Sequence, residues 1–479
     1  MQNKPFYLTT TLPYVNSDPH IGFALELIRA DIIVRSKKLA GLEVFFNTGT
    51  DEHGLKIYRN AEARSMDTQA YVDEYAKKFR DLIPALGIFP EVNFIRTTDV
   101  HHIMAAQEFW KRVKANGYIY KKNYSVKYCV GCELEKTESE LVNGRCPLHP
   151  LQDIEKIEEE NYFFKFSEFQ QKLLDLYSSN ANFIVPEFRL GEIRNFVEKG
   201  LEDFSISRLA EKMPWGIPVP DDESQVMYVW FDALVNYISA VGWPDDMKKY
   251  EKWCKESSGM IQYCGKDNIR QQAAMWQAML MAAGLTSSQA IVIDGFITGA
   301  DGLKMSKSLG NTVDPFEVVK EYGTDALRYF VSRELSPFED SPFSMEQFKQ
   351  AYNAHLANGL GNLTSRTMKM AQENLTTPVS HEPVLSSWYE EAISTFNIKK
   401  LCDYVWLEIQ EADQIIQKEQ PFKVVKTDPA RGRELIMDLV RRLSNIAFAL
   451  RAVLPETSEK IMECVHMNKM PEKPIFVRK

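Results

Sequence analysis

The sequence of 479 residues lacks any run of about 18 uncharged apolar residues, the length that a helix needs to cross a bilayer. Its start, MQNKPFYLTTTLPYV, has no basic stretch leading into an apolar core, so no secretory leader is predicted. Low-complexity tracts and repeats are also missing, which argues against a disordered chain or a solenoid. We therefore expect a folded cytoplasmic protein without a membrane segment.

Cysteines are few and the net charge is negative. Seven cysteines, three of them in one short segment, fit a reducing compartment better than a disulfide framework. The formal net charge of −9 argues against indiscriminate binding to nucleic acid, although a local basic face is compatible with it. At about 150 residues per domain, the length indicates a multidomain protein.

Two β-α-β patterns predict an α/β fold. A strand at 6–11 is followed by a helix from an N-cap at Asp18 to Gly41 and by the strand VFFNTG. Later, MIQYCG, a helix over 268–283 and AIVIDGF repeat this order. The patterns indicate a split Rossmann-type, doubly wound parallel sheet, and a ligand is expected at the carboxyl ends of its strands.

The insertion between the two halves carries a metal-binding pattern. CVGC and CPLH are separated by thirteen residues and supply Cys129, Cys132, Cys146 and His149. Two close pairs of soft ligands suit one tetrahedral Zn²⁺ ion, and four protein ligands indicate a structural role in a zinc knuckle. The alternative is a set of buried, unligated cysteines with an incidental histidine.

Beyond residue 350 the pattern becomes helical. Apolar residues recur at three- and four-residue spacing over 353–373, 386–418 and 433–453. This spacing predicts an all-α helical bundle as the last domain.

Two further motifs suggest phosphate binding. Pro19-His20-Ile21-Gly22 opens the first helix, and the segment 302–308, GLKMSKS, follows a strand of the sheet. Each motif alone has a simpler explanation, a polar helix cap for the first and a solvated basic loop for the second.

Together, PHIGF and KMSKS resemble the two signature motifs of the class I aminoacyl-tRNA synthetases. NTGTDEHG, the zinc knuckle, SISR with PWGIPVP, YVWFDALVNY, GKD and GNLTSR resemble the methionyl-tRNA synthetase family of the bacterial single-zinc kind. The resemblance implies ATP-dependent activation of methionine to an aminoacyl-adenylate and its transfer to tRNA.

The resemblance also implies roles for individual residues. Mg²⁺ arrives with ATP, and His20, Lys304 and Lys307 are the expected catalytic residues. The expected ATP-binding residues are His20, Gly22, Phe23, Lys304 and Lys307.

In the amino-acid site, Asp51 is expected to bind the ammonium group, and Arg208 and Asp267 to organise the carboxylate end. The remaining amino-acid-binding residues are expected to be Thr11, Leu12, Tyr14, Trp230, Ala233, Tyr237, Asn268 and Gln272. Trp230, Ala233 and Tyr237 fall at helical spacing, so an ordinary core role is the alternative for them.

For tRNA, the resemblance implies an anticodon site in the helical domain. Asn362, Arg366, Pro421 and Phe422 occupy the matching positions. Phe422 stands where the family has tryptophan and still offers a ring for stacking.

Three other positions depart from the family. Phe23 replaces a histidine that contacts ATP, while Asn268 and Gln272 replace an aliphatic residue and a histidine of the amino-acid pocket. Two buried amides beside a thioether leave polar groups unpaired, which suggests a pocket for a more polar amino acid. In the rival hypothesis Tyr14, Tyr237 or water pairs with the amides and methionine still binds.

The predicted division is a first Rossmann half at 1–114, the insertion at 115–199, a second Rossmann half at 200–325, a linking segment at 326–350 and the helical domain at 351–479. The leading hypothesis is a methionine–tRNA ligase. The alternatives are a paralogue that uses a more polar amino acid or a non-tRNA acceptor, and a catalytically silent RNA-binding or regulatory relative. With no predicted domain after residue 479, a monomer is expected.

Overall fold

The computed structural model describes residues 4–136, 138–257, 259–299, 302, 305 and 312–479. The described strands are β1 (Phe6–Thr10), β2 (Val44–Thr50), β3 (Asn93–Arg96), β4 (Ile119–Cys129), β5 (Leu134–Lys136), β6 (Glu155–Phe164), β7 (Ile184–Val185), β8 (Phe204–Ser205), β9 (Ser207–Leu209), β10 (Pro218–Val219), β11 (Asp222–Met227), β12 (Met260–Gly265), β13 (Ala290–Asp294), β14 (Ile297–Thr298) and β15 (Ser341–Pro342).

The described α-helices are α1 (Ile21–Leu39), α2 (Leu55–Ala63), α3 (Thr68–Ala85), α4 (Val100–Ala115), α5 (Gln170–Ser179), α6 (Glu187–Glu198), α7 (Val229–Ala233), α8 (Asn236–Ser239), α9 (Met247–Glu251), α10 (Trp276–Ala282), α11 (Pro315–Tyr322), α12 (Thr324–Tyr329), α13 (Met345–Ala351), α14 (Asn362–Asn374), α15 (Ser387–Ser394), α16 (Ile398–Glu419), α17 (Pro421–Thr427), α18 (Pro429–Leu450) and α19 (Pro455–Met467). Shorter 3₁₀ segments lie at Glu138–Glu140, Phe166–Phe169 and Lys266–Asn268, and π-helical segments at Lys252–Glu256, Gln271–Met275, Phe330–Glu334 and Tyr352–Gly361. None of the described helices combines the length and the apolarity that a bilayer crossing requires.

The chain divides into two compact units. The first contains Met1–Pro19, Leu42–Asp81 and Glu91–Ile293, and the second contains His20–Gly41, Leu82–Pro90 and Asp294–Lys479.

The first unit contains a six-stranded sheet in the order β3-β2-β1-β12-β13-β7. The pairs β3·β2, β2·β1, β1·β12 and β13·β7 are parallel, which confirms the predicted parallel sheet. Strand β7 belongs to this sheet although its residues lie inside the segment 115–199. Every residue of β1 and β13 is buried, as is expected for strands inside a parallel sheet.

An aromatic core supports the first unit. Phe109 and Trp110 of α4 contact Phe231 of α7, and Phe109 stacks on Trp276 of α10 with ring centroids 5.7 Å apart. Such offset or edge-on pairs add to the burial of large rings. Tyr237 of α8 also packs edge-on against Trp276, so both short helices, α7 and α8, are held against this aromatic layer.

The antiparallel strands β4, β5, β6 and β8 form the sheet of the insertion in the order β5-β4-β6-β8. β4 and β6 pair from Ile119 with Phe164 to Tyr128 with Glu155. This long hairpin carries CVGC at the end of β4.

The second unit is mainly helical, and its helices α14 to α19 confirm the helical pattern predicted beyond residue 350. Two buried arginines connect α1 with other parts of this unit: Arg29 forms an ion pair with Asp294 at 2.9 Å and Arg328 with Asp31 at 2.6 Å. Both guanidinium groups also donate to several backbone carbonyls, so most of their donors are paired despite complete burial.

One predicted helix boundary is wrong. α1 begins at Ile21 rather than after Asp18, because His20 is the N-cap and its side chain accepts a hydrogen bond from the backbone of Gly22. The segment 386–418 is helical as its spacing predicts, and it carries two helices, α15 and α16, with Phe396 in the left-handed region (φ 56°) between them.

Candidate functional site

The carboxyl ends of β1, β2 and β12 lie side by side because these strands are parallel neighbours. The segments that follow them carry Tyr14, Asp51 and Asp267. Tyr14 and Asp51 pair through the backbone: the N–H of Asp51 donates to the carbonyl of Pro13 at 2.9 Å, and the N–H of Val15 donates to the carbonyl of Asp51 at 3.1 Å. The backbone positions of Tyr14 and Asp51, both predicted for the amino-acid site, are therefore fixed relative to each other.

The carboxylate of Asp51 is buried with one oxygen unpaired. The residue is 6% exposed, and Oδ1 has no hydrogen-bond partner among the described residues. Burial raises the pKa of Asp51 well above its ordinary value, and the negative charge of Asp232 raises it further. A buried carboxylate with an unpaired oxygen is stabilised by a cationic ligand.

Asp232 joins two buried histidines. Its Oδ2 lies 2.6 Å from Nδ1 of His53 and its Oδ1 lies 2.9 Å from Nε2 of His102, whose Nδ1 lies 3.0 Å from the hydroxyl of Ser239. Burial alone opposes ionisation, but the two histidines hold the pKa of Asp232 below its ordinary value. Asp232 was absent from the predicted site, although an acidic residue inside the apolar run VWFDALV is a signal for it.

Thr11 and Leu12 directly follow β1, while Trp230 and Ala233 lie on α7 and Tyr237 on α8. Leu12, Ala233 and Tyr237 are buried, and Thr11 and Trp230 are half-buried. The indole Nε1 of Trp230 is buried without a hydrogen-bond partner among the described residues. Their part in an amino-acid pocket stays a prediction.

Gln272 is fully buried and hydrogen-bonded at both ends of its amide. Its Oε1 accepts a hydrogen bond from Nε2 of Gln262, and its Nε2 donates to the hydroxyl of Tyr237 at 2.6 Å. Gln277 and Ser288 extend the network, with the Ser288 hydroxyl donating to Oε1 of Gln262 at 2.7 Å. A buried amide with both partners carries no penalty for unpaired groups.

Asn268 lies differently from Gln272. It is half-buried, ends the 3₁₀ segment Lys266–Asn268, and its Nδ2 lies 3.4 Å from the carboxylate of the exposed Asp267. The prediction of two buried, unpaired amides on one α-helical face is therefore wrong, because a 3₁₀ segment and a π-helical segment replace regular α-helix here.

Arg208 is buried on β9. Its guanidinium carbon lies 5.1 Å from the ring centre of Tyr128 and 4.8 Å from that of Tyr228. Nη1 also donates to the hydroxyl of Ser205 at 2.7 Å and to the carbonyl of Ser207 at 2.8 Å. The packing fixes the guanidinium group, and its predicted contact with the substrate carboxylate stays a prediction.

The insertion brings the four predicted metal ligands together. One ligand atom from each of Cys129, Cys132, Cys146 and His149 lies within 4.8 Å of the others. Sγ of Cys132 lies 3.5 Å from Sγ of Cys146 and 3.2 Å from Nδ1 of His149, and Nδ1 lies 3.7 Å from Sγ of Cys129.

These distances fit a tetrahedral metal ion. Zinc–sulfur bonds of about 2.3 Å place two sulfur ligands about 3.8 Å apart, close to the separations in the cluster. Gly131 is required beside it, because a Cβ atom there would lie 2.5 Å from the ring of His149. The residues present therefore fit one Zn²⁺ ion with no open coordination position.

The first predicted ATP motif lies at the start of α1. Nδ1 of His20 accepts a hydrogen bond from the N–H of Gly22 at 3.1 Å, so the neutral imidazole carries its proton on Nε2. The ring of Phe23 packs on this imidazole, with ring centroids 4.5 Å apart. Phe23 thus helps to orient His20, whereas Lys304 and Lys307 lie outside the described residues.

The four residues predicted for the anticodon lie on two helices. Asn362 is the exposed first residue of α14, and Arg366, one turn later, forms an ion pair with Asp413 of α16 at 3.2 Å. Pro421 begins α17 and is buried, while Phe422 is 42% exposed. An exposed ring is available for stacking, and the anticodon assignment stays a prediction.

Comparison with known proteins adds to this geometry. Residues 6–156 and 138–368 match the family described as tRNA synthetases class I (M). A methionine–tRNA ligase of Thermosynechococcus vestitus is 40% identical over 95% of this chain and 89% of its own length. The chloroplastic/mitochondrial methionine–tRNA ligase of Arabidopsis thaliana is also 40% identical, over 96% of this chain and 77% of its own.

Solved structures give the same result. The methionyl-tRNA synthetase of Mycobacterium tuberculosis in complex with methionyl-adenylate is similar with a TM-score of 0.89 and 35% identity, over 96% of this chain and 93% of that one. Its apo form has a TM-score of 0.83 and 30% identity, over 100% of this chain and 99% of that one.

Proposed function

We infer that this chain, which belongs to the class I (M) family of tRNA synthetases, activates methionine with ATP and transfers it to tRNA. The observation that carries this proposal is the buried carboxylate of Asp51, whose Oδ1 is unpaired among the described residues, beside Tyr14 at the carboxyl edge of the sheet. The ammonium group of an amino acid compensates such a charge. The relatives of this chain indicate that the amino acid is methionine, because they are methionine–tRNA ligases.

The first step is adenylate formation. An oxygen of the methionine carboxylate attacks the α-phosphorus of ATP, and the bond to the β-phosphate breaks to release pyrophosphate. Catalysis of such a step depends on positioning and on stabilisation of charge. Asp51 holds the ammonium group, and His20 donates from Nε2 to a phosphate oxygen while Lys304 and Lys307 neutralise the leaving pyrophosphate.

In the second step, a ribose hydroxyl of the tRNA attacks the methionyl carbonyl carbon, and AMP leaves. ATP arrives as its Mg²⁺ complex, in which the ion neutralises part of the phosphate charge. We assign no residue of this chain to Mg²⁺.

Zinc is the metal that we propose for the cysteine–histidine cluster. It would connect the CVGC turn at the end of β4 with CPLH and so hold the hairpin tip together. The cytoplasmic location and the monomeric state stay predictions.

The hypothesis of a more polar amino acid loses its main support. It depended on unpaired amides at Asn268 and Gln272, and Gln272 is paired with Gln262 and Tyr237. The hydrogen bond between Gln272 and Tyr237 agrees with the rival hypothesis, in which methionine binds beside an amide that is already hydrogen-bonded within the protein.

Aminoacylation tests the proposal. Purified protein is incubated with ATP, methionine and a tRNA transcript with a CAU anticodon, and with a matched transcript in which only the anticodon is changed. Methionylation of the CAU transcript at a much higher rate is expected. Adenylate formation without charging of either transcript would contradict transfer to tRNA.

A further inference from the structure

Glu133 follows Cys132 of the metal cluster, and its side chain is buried among groups from other segments. Oε1 accepts hydrogen bonds from the hydroxyl of Tyr14 at 3.0 Å and from the backbone N–H of Lys56 at 2.9 Å. Oε2 accepts one from the hydroxyl of Tyr128. The residue is only 4% exposed. Both oxygens of a buried carboxylate are thus used to join three segments of the chain.

The backbone of Glu133 is fixed as well. Its φ of 51° lies in the left-handed region, which is unfavourable for a non-glycine residue. The carbonyl of Glu133 accepts a hydrogen bond from the hydroxyl of Tyr228. The contacts of the side chain and of the carbonyl together hold this conformation.

Two partners of Glu133 are connected to Asp51 through the backbone, one by a β-bridge and one by closeness in sequence. Tyr14 shares its backbone bridge with Asp51. Lys56 lies in the first turn of α2, where unpaired N–H groups and the helix dipole favour a carboxylate. Glu133 therefore fixes both the segment beside Asp51 and the helix that begins just after it.

Gly54 shows how closely these groups pack. A Cβ atom at this position would lie 2.4 Å from the hydroxyl oxygen of Tyr14 and 3.2 Å from Oε1 of Glu133, and the φ of Gly54 is 121°. The hydrogen bond between Tyr14 and Glu133 thus leaves no room for a side chain at residue 54.

We propose that Glu133 is a positioning residue of the amino-acid site, which makes the geometry at Tyr14 and Asp51 depend on the folded metal cluster. Cys132 fixes the chain immediately before Glu133, and the carboxylate transmits that position to Tyr14. The inference rests on the proposed function, since Tyr14 and Asp51 are assigned there to methionine.

A double-mutant cycle tests the contact. Methionine affinity is measured by calorimetry without ATP for wild type, Tyr14→Phe, Glu133→Ala and the double variant. Loss of one hydrogen bond to a charged group corresponds to about a tenfold weaker Kd. Tyr14→Phe is expected to lose about tenfold and Glu133→Ala at least as much, since the latter also removes the bond from Lys56. The double variant should lose no more than Glu133→Ala alone, because both changes remove the bond between Tyr14 and Glu133.

Several measurements separate positioning from general damage. KM for ATP in pyrophosphate exchange should stay unchanged in Tyr14→Phe, whereas KM for methionine rises. Glu133→Gln keeps an oxygen acceptor and should restore most of the affinity. Glu138→Gln, a matched change at an exposed residue of the same insertion, should bind methionine like wild type. Tyr14→Phe alters no metal ligand, so it tests the contact even if Glu133→Ala fails to fold.

Metal removal gives a second readout. Bound metal is quantified in every variant, and the cluster is then stripped with a chelator. Methionine affinity is expected to fall about tenfold in wild type but less than about twofold in Glu133→Ala. The inference would be overturned if the affinity losses of the two single variants multiply in the double variant. It would also be overturned if chelation weakens methionine binding equally in wild type and in Glu133→Ala. A wild type that binds no methionine would instead contradict the proposed function.

Discussion

Replacing Asp51 with asparagine is expected to impair methionine activation and, at the same time, to stabilise the folded protein. The carboxylate is buried, and its Oδ1 has no hydrogen-bond partner among the described residues. Bound methionine would pair its ammonium group with this charge. In the absence of methionine the charge is uncompensated and costs folding free energy.

The magnitude follows from the burial. Removing one partner of a buried charge pair costs about 3 kcal/mol, which corresponds to about 150-fold in binding. We expect kcat/KM for methionine in ATP–pyrophosphate exchange to fall about 100-fold in Asp51→Asn, with KM for ATP changed by less than about threefold. The free energy of unfolding at pH 7 should rise by about 1 kcal/mol, because a neutral amide is easier to bury than a charge.

The pH dependence gives an independent check. Because the folded-state pKa of Asp51 is raised above 3.8, its ionised fraction falls as the pH is lowered through that raised pKa. KM for methionine in wild type should therefore increase on acidification, beginning well above pH 3.8. The stabilisation by Asp51→Asn should decrease on acidification. It is present above the raised pKa, where wild-type Asp51 is charged, and disappears at low pH, where wild-type Asp51 is protonated in both the folded and the unfolded state.

Asp245→Asn is the control, since Asp245 is an exposed aspartate of the same unit. It should change neither exchange nor stability. If Asp51→Asn activates methionine as well as Asp245→Asn does, Asp51 does not bind the ammonium group and the assignment of the site is wrong.

Three further predictions concern other parts of the chain. Gln272→Leu should lower the free energy of unfolding by about 1 to 3 kcal/mol in chemical denaturation, because its buried partners are left unpaired; a new preference for a polar amino acid would instead revive the altered-pocket hypothesis. Arg366→Ala should slow methionylation of a CAU transcript about tenfold or more without changing pyrophosphate exchange, whereas Lys369→Ala, exposed on the same helix, should leave both unchanged. Cys146→Ser should lose its bound zinc and melt at a lower temperature, while Cys464→Ser should retain zinc, and equal zinc contents would refute the knuckle.

The parts of the fold that the sequence predicts well depend on local patterns. Short, largely apolar strands that alternate with glycine-ended helices are enough to indicate the parallel sheet. Likewise, two close pairs of soft ligands are enough to indicate the metal cluster, whose atoms the structure brings within 4.8 Å. Both signals are contained in a few neighbouring residues.

The wrong prediction about Gln272 depends on a partner that is distant in sequence, whereas the wrong start of α1 depends on which of two neighbouring polar residues caps the helix. Gln272 is satisfied by Tyr237, 35 residues away, and no local pattern indicates that bond. At the start of α1 the side chain of His20 accepts the capping hydrogen bond from the backbone of Gly22, although aspartate, as at Asp18, is the more usual cap residue. The role of Glu133 cannot be predicted from local sequence, because it depends on contacts with Tyr14 and Lys56, which lie far away in the chain.

ATP–pyrophosphate exchange with each of the twenty amino acids singly tests the central claim most directly, because it separates activation from transfer. We predict exchange with methionine at a rate far above that with any other amino acid. Exchange that depends on a polar amino acid, or no exchange with any of the twenty, would contradict the assignment of a methionine-activating site around Asp51.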